Sequence, residues 1–176
     1  MAYIQRYLSL PALQVISHHD QLPVDACLLG SQVQSQSGRD KLISLVSRGD
    51  KYLSVLSSAS YELSDGTIEY SCDQFDFPLR VLSWFPNALD AFRKPPVEGG
   101  LHAGSMISDY QDVDGEMLTV GSTSEGYCLT NWSRCDHGAT SFCPVDLYFF
   151  YDFLYQDGFL KLWSELGDGF ERGNLT

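Results

Sequence analysis

Lysine and arginine are scarce in this sequence. Eleven basic side chains stand against 23 acidic ones, which gives a formal net charge of −12. Residues 109–176 hold twelve acids and only three bases, Arg134, Lys161 and Arg172. A negative field of this kind repels nucleic acid and anionic membranes and attracts basic partners. The charge therefore predicts a basic protein partner and argues against direct binding to nucleic acid or to a membrane.

Long hydrophobic runs are also missing. The longest apolar cluster, around Leu147 to Leu154, is interrupted by Asp152, whereas a membrane-spanning helix needs about 20 apolar residues. The first residues, Met1 to Arg6, lack the charged and apolar regions of a secretory signal. These absences predict a cytoplasmic protein.

Cysteine is present in an odd number and at irregular spacings. Such a pattern does not suit a disulfide framework, and it predicts reduced thiols, as in a reducing compartment. The thiols belong to Cys27, Cys72, Cys128, Cys135 and Cys143.

The motifs of common cofactor sites are absent from the sequence. It contains no P-loop, no Gly-x-Ser-x-Gly elbow and no His-Glu-x-x-His helix. The carboxylates between Asp109 and Glu116 resemble those of a calcium loop, but the spacing fails. With Gly115 at the sixth position, the first ligand would be Tyr110 and the twelfth Gly121. We therefore expect no cofactor.

A zinc site is an open alternative in the second half of the chain. Four side chains of zinc-ligand types fall within sixteen residues, without the Cys-x2-Cys spacing that makes such a signal strong: Cys128, Cys135, His137 and Cys143.

A small hydrolase or transferase is the other alternative. His102 lies in a glycine-rich stretch, where it could act on Cys135 or work with a carboxylate such as Asp109. His18 and His19, beside Asp20, have the pattern of an ordinary surface turn.

The hydrophobic content of the chain is that of a folded protein. Hydrophobic residues make up 44% of the chain, enough to bury a core. Hairpin signals mixed with scattered helices predict an α+β fold, a single domain over residues 1–176 with mostly antiparallel sheet. Paired prolines and glycines predict an internal loop at 94–104.

Two hairpins are predicted, at 61–72 and 117–132. In the first, a two-residue turn at Asp65-Gly66 would place Tyr61 opposite Tyr70 and Leu63 opposite Ile68, with Glu62 facing Glu69. In the second, a loop of glycine, serine and threonine joins β-branched and aromatic segments. Shorter strands are expected at Tyr3–Leu8, Ala26–Leu29 and Tyr52–Leu56.

Three helices are predicted. Leu42, Leu45 and Val46 have helical spacing within residues 39–46, and Pro86 begins a second helix that runs to residue 92. The longest helix is expected near 146–166, with Asp146 as its N-cap and a break at Asp157-Gly158.

The acidic stretch after residue 108 is the candidate binding site. Carboxylates that surround aromatic side chains make a surface able to hold arginine and lysine of a partner. The predicted partner-binding residues are Asp109, Tyr110, Asp112, Asp114, Glu116, Glu125, Trp132 and Asp136.

These features together predict a protein-binding inhibitor without catalysis. Its acidic, aromatic-containing face would neutralise a basic toxin or effector, as an immunity protein does. An inhibitor that imitates the charge of nucleic acid is the second alternative after the hydrolase. Toxin neutralisation is preferred because the acidic excess is concentrated in residues 109–176 and because 44% of the chain is hydrophobic.

Overall fold

The computed structural model describes residues 10–36 and 38–175, without the side chain of residue 36. The strand predicted at Tyr3–Leu8 therefore lies outside the described residues. Two four-stranded antiparallel sheets and a few helices form the fold, so the predicted α+β class is confirmed. Within the described ranges, no helix has the length and apolar character needed to cross a membrane.

Contacts divide the chain into two units. The first is Leu13–Leu79, and the second comprises residues 10–12 and 80–175. The single domain predicted for 1–176 stays a prediction. Residues 94–104, where an internal loop was predicted, lie inside the second unit and contain a short 3₁₀ turn, Pro96–Glu98.

The first unit is a meander of four strands. β1 (Ala26–Gln36), β2 (Arg39–Arg48), β3 (Tyr52–Glu62) and β4 (Ile68–Pro78) pair in sequence order. The expected strands at 26–29 and 52–56 are the starts of β1 and β3.

The helix predicted over residues 39–46 is wrong, because this segment is β2. β2 is an inner strand, paired with β1 and β3. Its second half is buried on both faces, with Ile43, Leu45 and Val46 at most 2% exposed. A strand buried on both faces gives a continuous apolar run, in which the helical spacing arises by coincidence.

The hairpin at 61–72 is confirmed, but its predicted register is wrong. Tyr61 pairs with Glu69 and Glu62 with Ile68, so the two glutamates do not face each other. The loop has three residues, 64–66, and only Gly66 (φ 82°) has a positive φ, as in a turn followed by a glycine bulge. The Asp65 carboxylate accepts a hydrogen bond from the Thr67 N–H at 2.8 Å, which stabilises this wider loop.

An extended segment before β1 packs on one face of this sheet. Ile16 is buried with Val46 and Leu56, and its N–H donates to Gln74 Oε1 at 2.7 Å. Arg48 Nη1 donates to the Gln14 carbonyl at 2.9 Å. These bonds satisfy buried polar groups of sheet and segment together, so the segment is fixed in place.

The second unit has its own sheet and two helices. The strands are β5 (Gln111–Val113), β6 (Glu116–Ser122), β7 (Gly126–Cys135) and β8 (Pro144–Phe150), again paired in sequence order. The hairpin predicted at 117–132 is confirmed as β6 and β7. The helices are α1 (Val81–Ala91) and α2 (Phe159–Glu171). A helix is present where Pro86 predicted one, but its predicted start is wrong, because α1 begins at Val81 and Pro86 lies inside it.

The single helix predicted near 146–166 is wrong in its first part. Residues 144–150 form β8, in which Val145, Leu147 and Phe149 are buried while Asp146 is exposed. This alternation follows the two-residue period of a strand. A π-helical turn, Asp152–Gln156, then leads to Gly158 (φ 82°), where α2 begins, so the predicted break is confirmed.

The two helices pack against each other and against one face of this sheet, the inner face. Phe149 of β8 contacts Phe85 of α1 and Trp163 of α2, with ring centroids 5.9 Å apart in both pairs. Gly167 of α2 lies against the backbone of α1: a Cβ atom there would be 2.4 Å from the Leu82 carbonyl oxygen. The helices can approach this closely only because residue 167 has no side chain.

We therefore expect Gly167→Ala to destabilise the protein. The added methyl group must push α2 away from α1 and from the aromatic core, at a cost of about 1–3 kcal/mol. Urea unfolding followed by circular dichroism measures the change. Glu165→Ala, at an exposed position of the same helix, is the control, and equal stability of the two variants would contradict the packing described here.

Candidate functional site

The candidate site is the face of the second sheet opposite its helices, called here the outer face. On this face β6 contributes Met117 and Thr119, and β7 contributes Cys128, Thr130 and Trp132. β8 adds Asp146, Tyr148 and Phe150. The assignment follows from strand register, which pairs Thr119 with Thr130, Thr130 with Asp146, and Cys128 with Tyr148. None of these side chains is basic.

Hydrogen bonds between side chains hold the centre of the outer face in order. Thr130 Oγ1 donates to Asp146 Oδ1 at 2.6 Å, and Trp132 Nε1 donates to Thr119 Oγ1 at 2.9 Å. The half-buried indole is thereby fixed across β6 and β7, beside the buried Thr119 and Thr130. Rigid aromatic side chains of this kind make good binding anchors because little entropy is lost when they are covered.

Aromatic side chains continue from this centre to both edges of the sheet. The Tyr110 ring lies 5.6 Å from the Trp132 ring, and the rings of Tyr148 and Phe150 meet edge to face at 4.9 Å. Tyr110 is 49% exposed, as is usual at a surface anchor rather than in a core.

A tight turn places the acidic segment at the edge of this face. Asp114 (φ 50°) and Gly115 (φ 86°) are the two turn residues between β5 and β6, the geometry of a type I′ hairpin. Asp112 Oδ1 accepts the Gly115 N–H at 2.8 Å. The sequence contained this signal, since Asp-Gly is the preferred pair for such a turn.

Three of the predicted carboxylates have roles inside the protein. Asp112 supports the turn, and Asp114 forms a 2.9 Å ion pair with Arg80. Glu116 is only 2% exposed and bonds to Arg134 Nε. The prediction that Glu116 faces a partner is therefore wrong: its carboxylate compensates a buried guanidinium.

The remaining predicted acids do not form one patch. Asp109 is exposed beside Tyr110, whereas Glu125 precedes β7 and Asp136 follows it. These two lie roughly 30 Å apart, given a rise of about 3.3 Å per strand residue. Of the predicted residues, Tyr110 and Trp132 are in contact, and Asp112 pairs with Met117 of the outer face. Sequence reasoning missed Asp146, because the segment was interpreted as a helix.

The alternative sites do not assemble in the described part of the chain. The four predicted zinc ligands form no group able to share an ion; the single such group is His18, His19 and Asp20. Cys135 Sγ donates to the Ser141 carbonyl at 3.5 Å, and no hydrogen bond within residues 10–36 and 38–175 joins it to His102. Burial raises the pKa of the Cys128 thiol, and Asp146 adds to this effect, so this thiol stays protonated at neutral pH.

The buried pair of Glu116 and Arg134 gives a test of this geometry. Glu116→Ala leaves the guanidinium without its carboxylate and should cost about 3–5 kcal/mol of unfolding free energy. The double variant Glu116→Ala/Arg134→Met removes both charges and should recover part of that loss. Asp109→Ala, at an exposed position, should change stability by no more than about 0.5 kcal/mol. Chemical denaturation measures all three, and a double variant less stable than Glu116→Ala would contradict the pairing.

Comparison with known proteins gives no match. No protein-family model fits the chain, and neither the curated proteins nor the solved structures contain a significant relative. A functional hypothesis for this chain therefore depends on the site itself.

Proposed function

We propose that this chain is a non-enzymatic binding protein that holds a basic protein partner on the outer face of its second sheet. One observation carries the proposal. A sheet face carries ordered aromatic side chains, Tyr110, Trp132 and Tyr148, together with the Asp146 carboxylate, and the exposed Asp109 is next to Tyr110 in the chain. Aromatic anchors surrounded by one sign of charge are typical of protein interfaces.

The charges next to this face support a basic partner in particular. Arg134 is buried with Glu116, and Arg80 is engaged by Asp114 and by Glu171. These two bases are therefore already neutralised by acids of the same unit. By contrast, Asp109 and Asp146 form no salt bridge within the described residues. Their charges attract lysine and arginine and raise the rate of association.

Neutralisation of a toxin or effector is the specific activity we propose, with a cytoplasmic location. Such an inhibitor needs a rigid, preformed surface rather than reactive groups, and the outer face has that character. Five free thiols agree with a reducing compartment. Imitation of nucleic acid has less support, because aromatic and apolar side chains occupy the centre of the face instead of rows of carboxylates.

Charge reversal at two positions tests the proposal. Asp109→Lys/Asp146→Lys should weaken binding of the partner by roughly 10- to 100-fold, since each attraction becomes a repulsion. The partner is first captured from a lysate of the source organism, identified and produced pure. Its affinity for each variant is then measured by calorimetry over a salt series, in which wild-type binding should weaken as salt rises.

The matched control is Glu165→Lys/Asp168→Lys, which makes the same change in net charge on exposed positions of α2. This control should bind as the wild type does. An equal loss of affinity for the partner in both double variants would show that overall charge decides binding. Wild-type affinity in Asp109→Lys/Asp146→Lys would place the interface elsewhere. Circular dichroism confirms that each variant is folded.

A further inference from the structure

His18, His19 and Asp20 lie together in one turn of the first unit. One potential ligand atom of each side chain lies within 4.8 Å of the others. The turn is closed by a hydrogen bond from the Gln21 N–H to the His18 carbonyl at 3.1 Å. Three consecutive residues thus present two imidazoles and a carboxylate toward the same small volume.

Tyr70 of β4 fixes this turn on the sheet. The Tyr70 hydroxyl accepts the His19 backbone N–H at 3.0 Å and lies 2.9 Å from His19 Nδ1. Its ring stacks on the His18 ring at 4.2 Å, with 16° between the planes. Both imidazoles are therefore held by a strand, which reduces the entropy lost when they bind a ligand.

The contacts of His19 match those of a metal-binding histidine. Such a histidine commonly bonds to an oxygen through the ring nitrogen that does not bind the metal. Here His19 Nδ1 has the Tyr70 hydroxyl as its oxygen partner, which leaves Nε2 for the metal. His18 Nδ1 and an Asp20 carboxylate oxygen already lie side by side, as two ligands of one ion do. His19 and Tyr70 also line an open cavity of about 240 Å³, through which solvent reaches the turn.

We propose that His18, His19 and Asp20 bind one divalent transition-metal ion, with zinc as the ion of choice. Two imidazoles and one carboxylate select zinc, nickel or copper over magnesium and calcium, which prefer oxygen ligands. In a tetrahedral zinc site the ligand atoms are about 3.4 Å apart, given bonds of about 2.1 Å. Small rotations of these three side chains, which are half-buried or exposed, bring them to that separation. Water completes the coordination.

This site belongs to residues 13–79 and does not depend on the proposed partner surface. Its metal ligands are also different from the cysteine-rich set that the sequence suggested. The thiols of Cys135 and Cys143 are thus the competing ligands that an experiment must separate from the histidine turn.

Metal binding by the full chain tests the proposal. After treatment with chelator and dialysis, the wild type is titrated by calorimetry with zinc, nickel and magnesium chloride. We expect about one zinc per chain, nickel binding at the same site, and no magnesium binding. His18→Ala, His19→Ala and Asp20→Asn should each weaken zinc binding at least about tenfold. Tyr70→Phe, which keeps the ring but loses the hydroxyl, should weaken it by a similar factor through His19.

The controls separate the turn from the other possible ligands. His102→Ala and His137→Ala remove the remaining two histidines of the chain, and Cys135→Ser/Cys143→Ser removes the competing thiols. These variants should bind zinc as the wild type does. Cobalt bound to the wild type should lack the charge-transfer absorption of thiolate ligands, a result that requires no variant. Absence of zinc binding, thiolate absorption, or full binding by His18→Ala/His19→Ala would overturn the proposal.

Discussion

The buried ion pair between Glu116 and Arg134 is the interaction on which the second sheet depends. Glu116 begins β6 and Arg134 lies near the end of β7, so their bond ties the two strands together beyond Leu118 and Asn131, the last pair of their ladder. Asn131 also donates to Glu116 at 3.2 Å, and Arg134 donates to the Pro11 carbonyl at 2.7 Å. Because a buried charge without its partner is costly, this network strongly favours one alignment of the strands. That alignment determines which side chains of β7 face outward, including Trp132.

Much of the fold could be predicted from local signals, and the failures share a physical cause. Asp-Gly at 65–66 and the loop after Ser122 mark real hairpins, whereas the helix at Pro86 is real but begins five residues before the proline. The segments at 39–46 and 146–150 failed because strands packed on both faces, or rich in aromatics, contain apolar residues at helical spacing by chance. Only pairing with neighbouring strands decides between a helix and a strand, and such pairing is not visible in a single segment. The register predicted at Tyr61 is wrong because the Asp65 carboxylate accepts a hydrogen bond from the Thr67 N–H, and this bond favours a wider loop.

The candidate site was predicted by residue type but not by location. The acidic run at 109–116 contains the turn between β5 and β6, and Tyr110 within it contacts Trp132 of the outer face. Charge alone could not separate an exposed acid such as Asp109 from Glu116, because a buried ion pair needs Arg134, eighteen residues away. Nor could sequence spacing show that Asp146 and Thr130 are neighbours, as they come together only when β8 pairs with β7.

The ion pairs of Arg80 and Arg134 show how the scarcity of basic residues affects the second unit. In the second unit, Arg134 and Arg80 are held by acids of the same unit, so they contribute little attraction to an outside anion. The carboxylates of Asp109 and Asp146 form no salt bridge within the described residues, and the aromatic side chains of the outer face supply apolar area. Long-range charge and short-range apolar contact act on different steps of association: the charge raises the rate of encounter, and the covered aromatics slow dissociation. In the function that we propose, a face that combines the two would select basic partners and still hold them once salt screens the charges.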